Sequence, residues 1–457
     1  EAEGYFKEAL EVRRRLKEKD TAYEPAYGIS LHSLGLLYYA TDKLGKSEGY
    51  YLEALEIFRE YREKNSACEP YYAVVLNSLG SLYHCLNMFD EAEKYFREAV
   101  DIYEELKRKD PSHDSYYAMV LHNLGGLYYS INTFDEAEKY FREALDIYEE
   151  LKRKDSIHEP HYATTLGSLA TLYRATARFD EAEEYFKEAI EIFKQLREKD
   201  PSYEQNYAVT LHELGNLYYS IDAFDEAEVC YNEAFKVYKR LREEHPSVYE
   251  PDYATVLHSL GNALYKKDRF DEAEKYFREA LDIYEELKKK DSVHESQYAT
   301  ILYSLGELYF VTARFDEAEE CLEGSLKYSH RLPDLGYLPQ RTLAMIRNSP
   351  EMFLVSAAIA VSNIKKGELI NPFFDLQTVI EFGDEKLKNE AMVALAAFEK
   401  LVGVEIDLSP INPTQLSEFP LAVYKCMNGE KTKVEKQPEN VVEEMFWLFL
   451  EYLDCIN

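Results

Sequence analysis

Apolar residues recur along the first 330 positions with a helical beat inside a much longer one. The stretch LHNLGGLYY (121–129) sets leucines four and one residues before Gly125 and two after it, with a tyrosine three after. Those offsets share one face of a helix. The stretch returns as LHSLGLLYY (31–39), LNSLGSLYH (76–84), LGSLATLYR (166–174), LHELGNLYY (211–219), LHSLGNALY (257–265) and LYSLGELYF (302–310). The small residue falls at Gly35, Gly80, Gly125, Ala170, Gly215, Gly261 and Gly306, a spacing of 45 residues with a single step of 46. A period this regular marks a duplicated unit that buries its apolar face against its neighbours.

A second helix follows the first in every unit. In FDEAEKYFREAVDIYEEL (89–106) the apolar stripe is Ala92, Phe96, Ala99, Ile102 and Leu106. Asp90 is expected to cap this helix, with Glu93 answering in a capping box. At about twenty residues it is roughly 30 Å long. The basic end LKRKD (106–110) suits a helix C-terminus, and Pro111, Pro201 and Pro246 read as stops. His158 and His161 of SIHEPHYA are placed in the loop between repeats, where packing is the expected role. Tyr27, Tyr72, Tyr117, Tyr162, Tyr207, Tyr253 and Tyr298 hold one position in all units, which also reads as structural.

Small residue, tyrosine at +3, alanine at +12, aromatic at +16 and alanine at +19 is a pattern shown in full by Gly80, Tyr83, Ala92, Phe96 and Ala99. It resembles the tetratricopeptide repeat, and the long period is most similar to the repeats of kinesin light chain. Ser47, Leu264, Leu322 and Ser325 depart from it. The resemblance implies an all-α fold: a right-handed α-solenoid of about seven helix-turn-helix repeats over residues 1–330. Glu1-Ala2-Glu3 aligns with Glu91-Ala92-Glu93, so the register opens inside an N-terminal half-repeat and further N-terminal domains are expected. The period stops in residues 331–457, where helices near 350–365, 388–403 and 440–455 are expected to form an α-helical capping domain. The last of these carries Trp447 among Phe446, Leu448 and Phe449, a surface to bury in the cap or against a second copy.

In such repeats the first helix lines a concave groove, and the family geometry implies that positions −6, −3, +1 and +4 from the small residue face inward. The −3 row holds His32, Asn77, His122, Gly167, His212, His258 and Tyr303; the +4 row holds Tyr39, His84, Tyr129, Arg174, Tyr219, Tyr265 and Phe310. Asn216 and Asn262 stand at +1. Across the four rows the permanent charges are Arg174 and Glu307, in a chain that is 30% charged. One reading is a groove that holds a protein or peptide segment through aromatic contact and neutral hydrogen bonds. The other is packing between neighbouring repeats. A histidine row titrating near its ordinary pKa would also make binding respond to acidity. No Lys/Asn clamp is present, so acidic C-terminal peptides are not the expected ligands.

Charge narrows the partners. With 53 basic and 86 acidic residues the formal charge is −33, which repels nucleic acid and anionic membrane surfaces. Six scattered cysteines without a C-x-x-C pair suit a reducing, cytoplasmic setting, and no apolar run is long enough to span a bilayer. ATDKLGKSEG (40–49) nearly spells a phosphate-binding loop, but it aligns with a turn between two helices, and such a loop needs a strand before it. Neighbouring histidines of the −3 row lie about 10 Å apart, too far to share an ion. No catalytic group, metal or cofactor is expected. The first expectation is therefore a non-catalytic interaction module. A second is the sensor arm of a larger STAND-type NTPase of signalling or antiviral defence, and a third is a self-assembling scaffold.

Overall fold

The leucines of each A stretch and the Ala/Phe stripe of each B stretch close on one another in every repeat of the computed structural model. It describes residues 2–41, 43–63 and 65–328, with isolated positions at 339, 342, 392, 393, 416, 420, 423 and 425. The helices expected near 350–365, 388–403 and 440–455 lie outside the described residues, apart from helical 392 and 393, and so does Trp447.

The chain divides into two compact units, Glu1–Glu244 and His245–Asn457. The first holds α1 (Ala2–Lys17), α2 (Glu24–Ala40), α3 (Leu44–Arg62), α4 (Glu69–Cys85), α5 (Phe89–Lys109), α6 (Asp114–Ser130), α7 (Phe134–Lys154), α8 (Glu159–Ala175), α9 (Phe179–Lys199), α10 (Glu204–Ser220) and α11 (Phe224–Glu244). The second holds α12 (Pro246–Lys266), α13 (Phe270–Lys290), α14 (Glu295–Val311) and α15 (Phe315–Leu326). No strand occurs among the described residues. Even-numbered helices through α14 are the A helices; each packs on the B helix that follows it. In the first unit the A helices also meet one another directly, α2 with α4 and so on to α10.

Close approach of A to B explains the small residue. Gly80 faces Phe96 so tightly that a Cβ would sit 2.6 Å from two ring carbons. Leu76, Leu79, Leu82, Ala92, Phe96 and Ala99 are fully buried around that contact. Burying a ring of this size contributes about 1.5–3 kcal/mol. The B stripe differs from expectation in its second half. Tyr103 is the fully buried residue, its hydroxyl donating to the Pro70 carbonyl at 3.1 Å, while Ile102 and Leu106 are half-buried. Tyr103 lies one turn beyond Ala99, on the line that faces the paired helix.

The A–B turn is a Schellman motif. Asn87 takes φ 57°, its N–H bonds the His84 carbonyl at 3.0 Å, and Met88 N–H bonds the Tyr83 carbonyl at 2.9 Å. Asn132, Ala177, Asp222, Asp268 and Ala313 are left-handed at the same place. The expected capping box is therefore absent. Helix α5 starts at Phe89 with Met88 as N-cap and no side-chain cap, because the turn has already fixed the entry. Asp90 lies in the first turn, and Glu93 turns outward to the next repeat. The capping aspartate stands at the other end of the B helix. Asp110 is extended and accepts from Ser112 N–H at 2.9 Å, starting a one-turn 3-10 helix that Pro111 opens. Pro111 and Pro201 thus open an element, and Pro246 opens α12. His158 ends such a turn, and His161 lies within α8, stacked on Tyr148 at 5.4 Å between ring centres.

Two tyrosine–glutamate ladders fasten the repeats. Tyr27, Tyr72, Tyr117, Tyr162 and Tyr253 donate to Glu53, Glu98, Glu143, Glu188 and Glu279 of their own repeats at 2.7–3.0 Å. In the first unit a basic side chain from the preceding B helix covers the same rings, as Lys107 covers Tyr117 at 3.6 Å. The tyrosine at +3 reaches back instead: Tyr83, Tyr128, Tyr173 and Tyr218 donate to Glu48, Glu93, Glu138 and Glu183 at 2.6–3.0 Å. The phosphate-loop lookalike resolves here as well. Ser47 lies fully buried in the first turn of α3, and its hydroxyl donates to the Gly35 carbonyl at 2.8 Å, so it can present nothing to a nucleotide.

Candidate protein-interaction surface

The −3 and +4 rows stand half-buried on the A helices, neither sealed in the core nor free of it; Asn77 alone is buried. Their polar atoms are largely spent on the next repeat. His32 Nε2 pairs with Ser78 Oγ at 2.8 Å, His84 Nε2 with Ser130 Oγ at 2.8 Å and His258 Nε2 with Ser304 Oγ at 2.9 Å. His122 Nδ1 meets Thr165 Oγ1 at 3.2 Å, and Asn123 Nδ2 donates to Asn77 Oδ1 at 2.9 Å. Asn216 accepts from the Tyr231 hydroxyl at 2.7 Å, and Asn262 lies 3.3 Å from His258. Tyr129, Tyr219, Tyr265 and Phe310 each lean on the first phenylalanine of their own B helix, ring centres 5.5–6.1 Å apart. Tyr303 is half-buried at the −3 position of α14. The rows therefore join adjacent repeats while still showing part of each side chain to solvent.

Burial also sets the charge of this face. His32 and His122 are pushed down to about 4 by desolvation, and burial lowers His84 and His212 as well. These imidazoles are neutral at pH 7, and a switch near the ordinary histidine pKa, expected from the row, is displaced well into the acid. Desolvation is the largest cause at each ring; at His212 the Glu213 carboxylate, 4.0 Å away, opposes it without reversing the direction. Arg174 is offset by Glu213, 3.4 Å away, and its Nε is buried without a hydrogen bond.

Two cavities open on the A-helix face of the first unit. One, of about 470 Å³, brings together Tyr39, Ser81, His84, His122, Asn123 and Gly126 from three successive repeats. The other, of about 390 Å³, lies one joint further on, around Gly167, Val209 and Glu213. Glu213, Val209 and Gly167 were not singled out as site residues by sequence. For Gly167 and Glu213 the signal is departure from the row, glycine where histidine recurs and glutamate where serine recurs; Val209 breaks no row.

Profiles described as Tetratricopeptide repeat match residues 27–105, 151–195, 206–286 and 252–328, and a second such profile matches 118–151. The chain belongs to the tetratricopeptide repeat family, and its all-α solenoid is that of the family. Its general class is accordingly the protein-interaction module. No curated protein matches it significantly. Similar solved structures include BtubC (BKLC) from P. vanneervenii, 24% identical over 54% of this chain and 92% of that one, with a TM-score of 0.45. Apo RapI is 12% identical over 66% of this chain and 97% of that one, TM-score 0.48. A putative kinesin light chain from Podosopora anserina with nearly identical TPR-like repeats is 22% identical over 49% and 98%, TM-score 0.37. No described helix is long and apolar enough to cross a membrane.

Proposed function

We infer that the chain binds a protein segment, without catalysis, in the groove lined by its A helices. The solenoid of residues 1–330 would carry the binding, residues 331–457 would act as its helical cap, and the setting would be cytoplasmic. The observation that carries this reading is the cavity joining Tyr39, His84, His122 and Gly126. It is a recess on an otherwise acidic protein whose lining has no permanent charge and whose imidazoles are held neutral. Such a surface favours an extended segment with aromatic and uncharged polar side chains, since a bound charge would lose hydration without gaining a partner.

The test is selection of peptides from a random display library on the intact chain. Titration follows against wild type and against a variant carrying Tyr39→Ala, His122→Ala and Tyr129→Ala. Loss of the selected peptides by a folded variant supports the groove. Equal binding to both proteins moves recognition to the B-helix face and ends this reading.

A further inference from the structure

The chain covers its own aromatic rings in a regular way, and one joint breaks the rule twice. In four repeats the ring at +16 lies under the histidine at −3: His32 over Tyr51, His122 over Phe141 and His212 over Tyr231 at 5.5 Å, and His258 over Phe277 at 5.6 Å. In the fourth repeat that histidine is Gly167, above Phe186. At three consecutive joints the ring at +23 stacks with a ring from the next A helix: Phe58 with Tyr71 at 5.7 Å, Tyr103 with Tyr116 at 5.8 Å, Tyr148 with His161 at 5.4 Å. At the next joint the ring is Phe193, and the residue facing it is Asn206. Both absences fall in one place. The cavity of about 390 Å³ is lined by Gly167, Asn206, Phe186 and Phe193, with Val209 on its wall.

The space is open on the glycine side, because a Cβ at Gly167 would meet nothing within 4 Å. The two phenylalanines at the base are themselves closed to water, so an entering ring would lie above them on Gly167, Val209 and Asn206. The rim offers several hydrogen-bond acceptors beside the amides of Gln205 and Asn206 and the Ser168 hydroxyl, which can also donate. Thr171 and Thr210 donate their hydroxyl hydrogens to helix carbonyls, at 2.9 and 2.8 Å, as Thr164 does at 2.9 Å, which leaves their oxygens as acceptors. The Glu213 carboxylate adds another acceptor. The size falls within the range of about 300–1,000 Å³ usual for ligand pockets.

We propose that the joint between α8, α9 and α10 is a pocket for a donor-bearing aromatic side chain, tryptophan or tyrosine, of a partner polypeptide. The incoming ring takes the room that His161, Tyr116 and Tyr71 fill at the three preceding joints and that a histidine covers in four repeats, and its N–H or O–H meets the acceptors of the rim. This assignment rests on the groove reading and adds to it the side chain that anchors the segment.

Indole is the probe, followed by saturation-transfer NMR on the full chain, with toluene as a ring that lacks a donor. Indole is expected to bind and toluene to bind more weakly. Gly167→His and, separately, Asn206→Tyr rebuild the two missing rings and should weaken indole by about ten-fold or more, a change of about 1.4 kcal/mol. Should either fail to fold, the other and the milder Gly167→Ala still report. Glu213→Gln should narrow the preference of indole over toluene. Absence of indole binding at millimolar concentration, or equal binding by wild type and the ring-restoring variants, overturns the proposal. Peptides that bind wild type and are lost from the Tyr39/His122/Tyr129 variant would then show that the groove stands without this pocket.

Discussion

Acidification should loosen the A-helix face before it touches the carboxylates. His122 has an ordinary pKa of 6.5 when unfolded and about 4 in the folded chain, lowered by burial. The folded value lies below the unfolded one, so the unfolded chain takes up the proton first. The associated stability is complete above about pH 6.5 and falls as the pH drops towards 4. Linkage with these two values gives a loss of about 2 kcal/mol at pH 5 for this one residue. His32, also near 4, adds a comparable amount. Glu93, Glu138 and Glu183, which accept from tyrosines at +3, are held below their usual range, so their share is lost at still lower pH. Urea unfolding followed by circular dichroism, for wild type and His122→Gln in parallel between pH 7.5 and 5, isolates the term. The stability gap between the two proteins should shrink by about 2 kcal/mol over that interval. Parallel curves with a constant gap would refute the buried, neutral assignment of His122.

Three further outcomes follow from the repeat itself. Gly80→Ala places a methyl 2.6 Å from Phe96; overpacking of about 1–3 kcal/mol should outweigh a helix gain of about 0.5–1 kcal/mol, so the midpoint of urea unfolding should fall. An unchanged or raised midpoint would show that Phe96 can retreat as the core stands. Tyr128→Phe removes the donor to Glu93 and should cost about 1 kcal/mol, since Arg97 still bonds that carboxylate at 2.7 Å. Hydrogen exchange across α5 and α6 should rise with it, and unchanged protection would discount this ladder. Ala177 sits at φ 57° without need, so Ala177→Asn should stabilise by about 0.5–1 kcal/mol in the same unfolding assay, and a loss would contradict the strain argument.

The fold was legible because the A and B stripes are written within single helices. Gly80, Phe96 and Ala99 lie at fixed offsets in one repeat, and their burial follows from periodicity. The turn was read less well. Asp90 looks like a cap in sequence, but a Schellman turn at Asn87 starts the helix two residues earlier than that cap would and leaves no room for the role. Asp110, at the end of a basic run, gave no sign of the 3-10 turn it starts. The surface rows were placed on the right helix, yet their pairing was hidden. His32 meets Ser78, and Asn77 meets Asn123, across a whole repeat, where no helical period connects them. What could have exposed the joint after Ala170 was a comparison of rows across repeats: Gly167 and Glu213 depart from theirs, and Asn206 stands where the three preceding repeats have a ring.

The central claim is that binding occurs on the A-helix face. Photo-crosslinking decides it directly, with p-benzoylphenylalanine at position 129 of α6 or at position 139 of α7, where Lys139 is exposed on the B helix, mixed with a display-selected peptide. Crosslinks from position 129 and none from position 139 are the predicted result. Crosslinks from position 139 alone would place recognition on the outer helices and contradict the account.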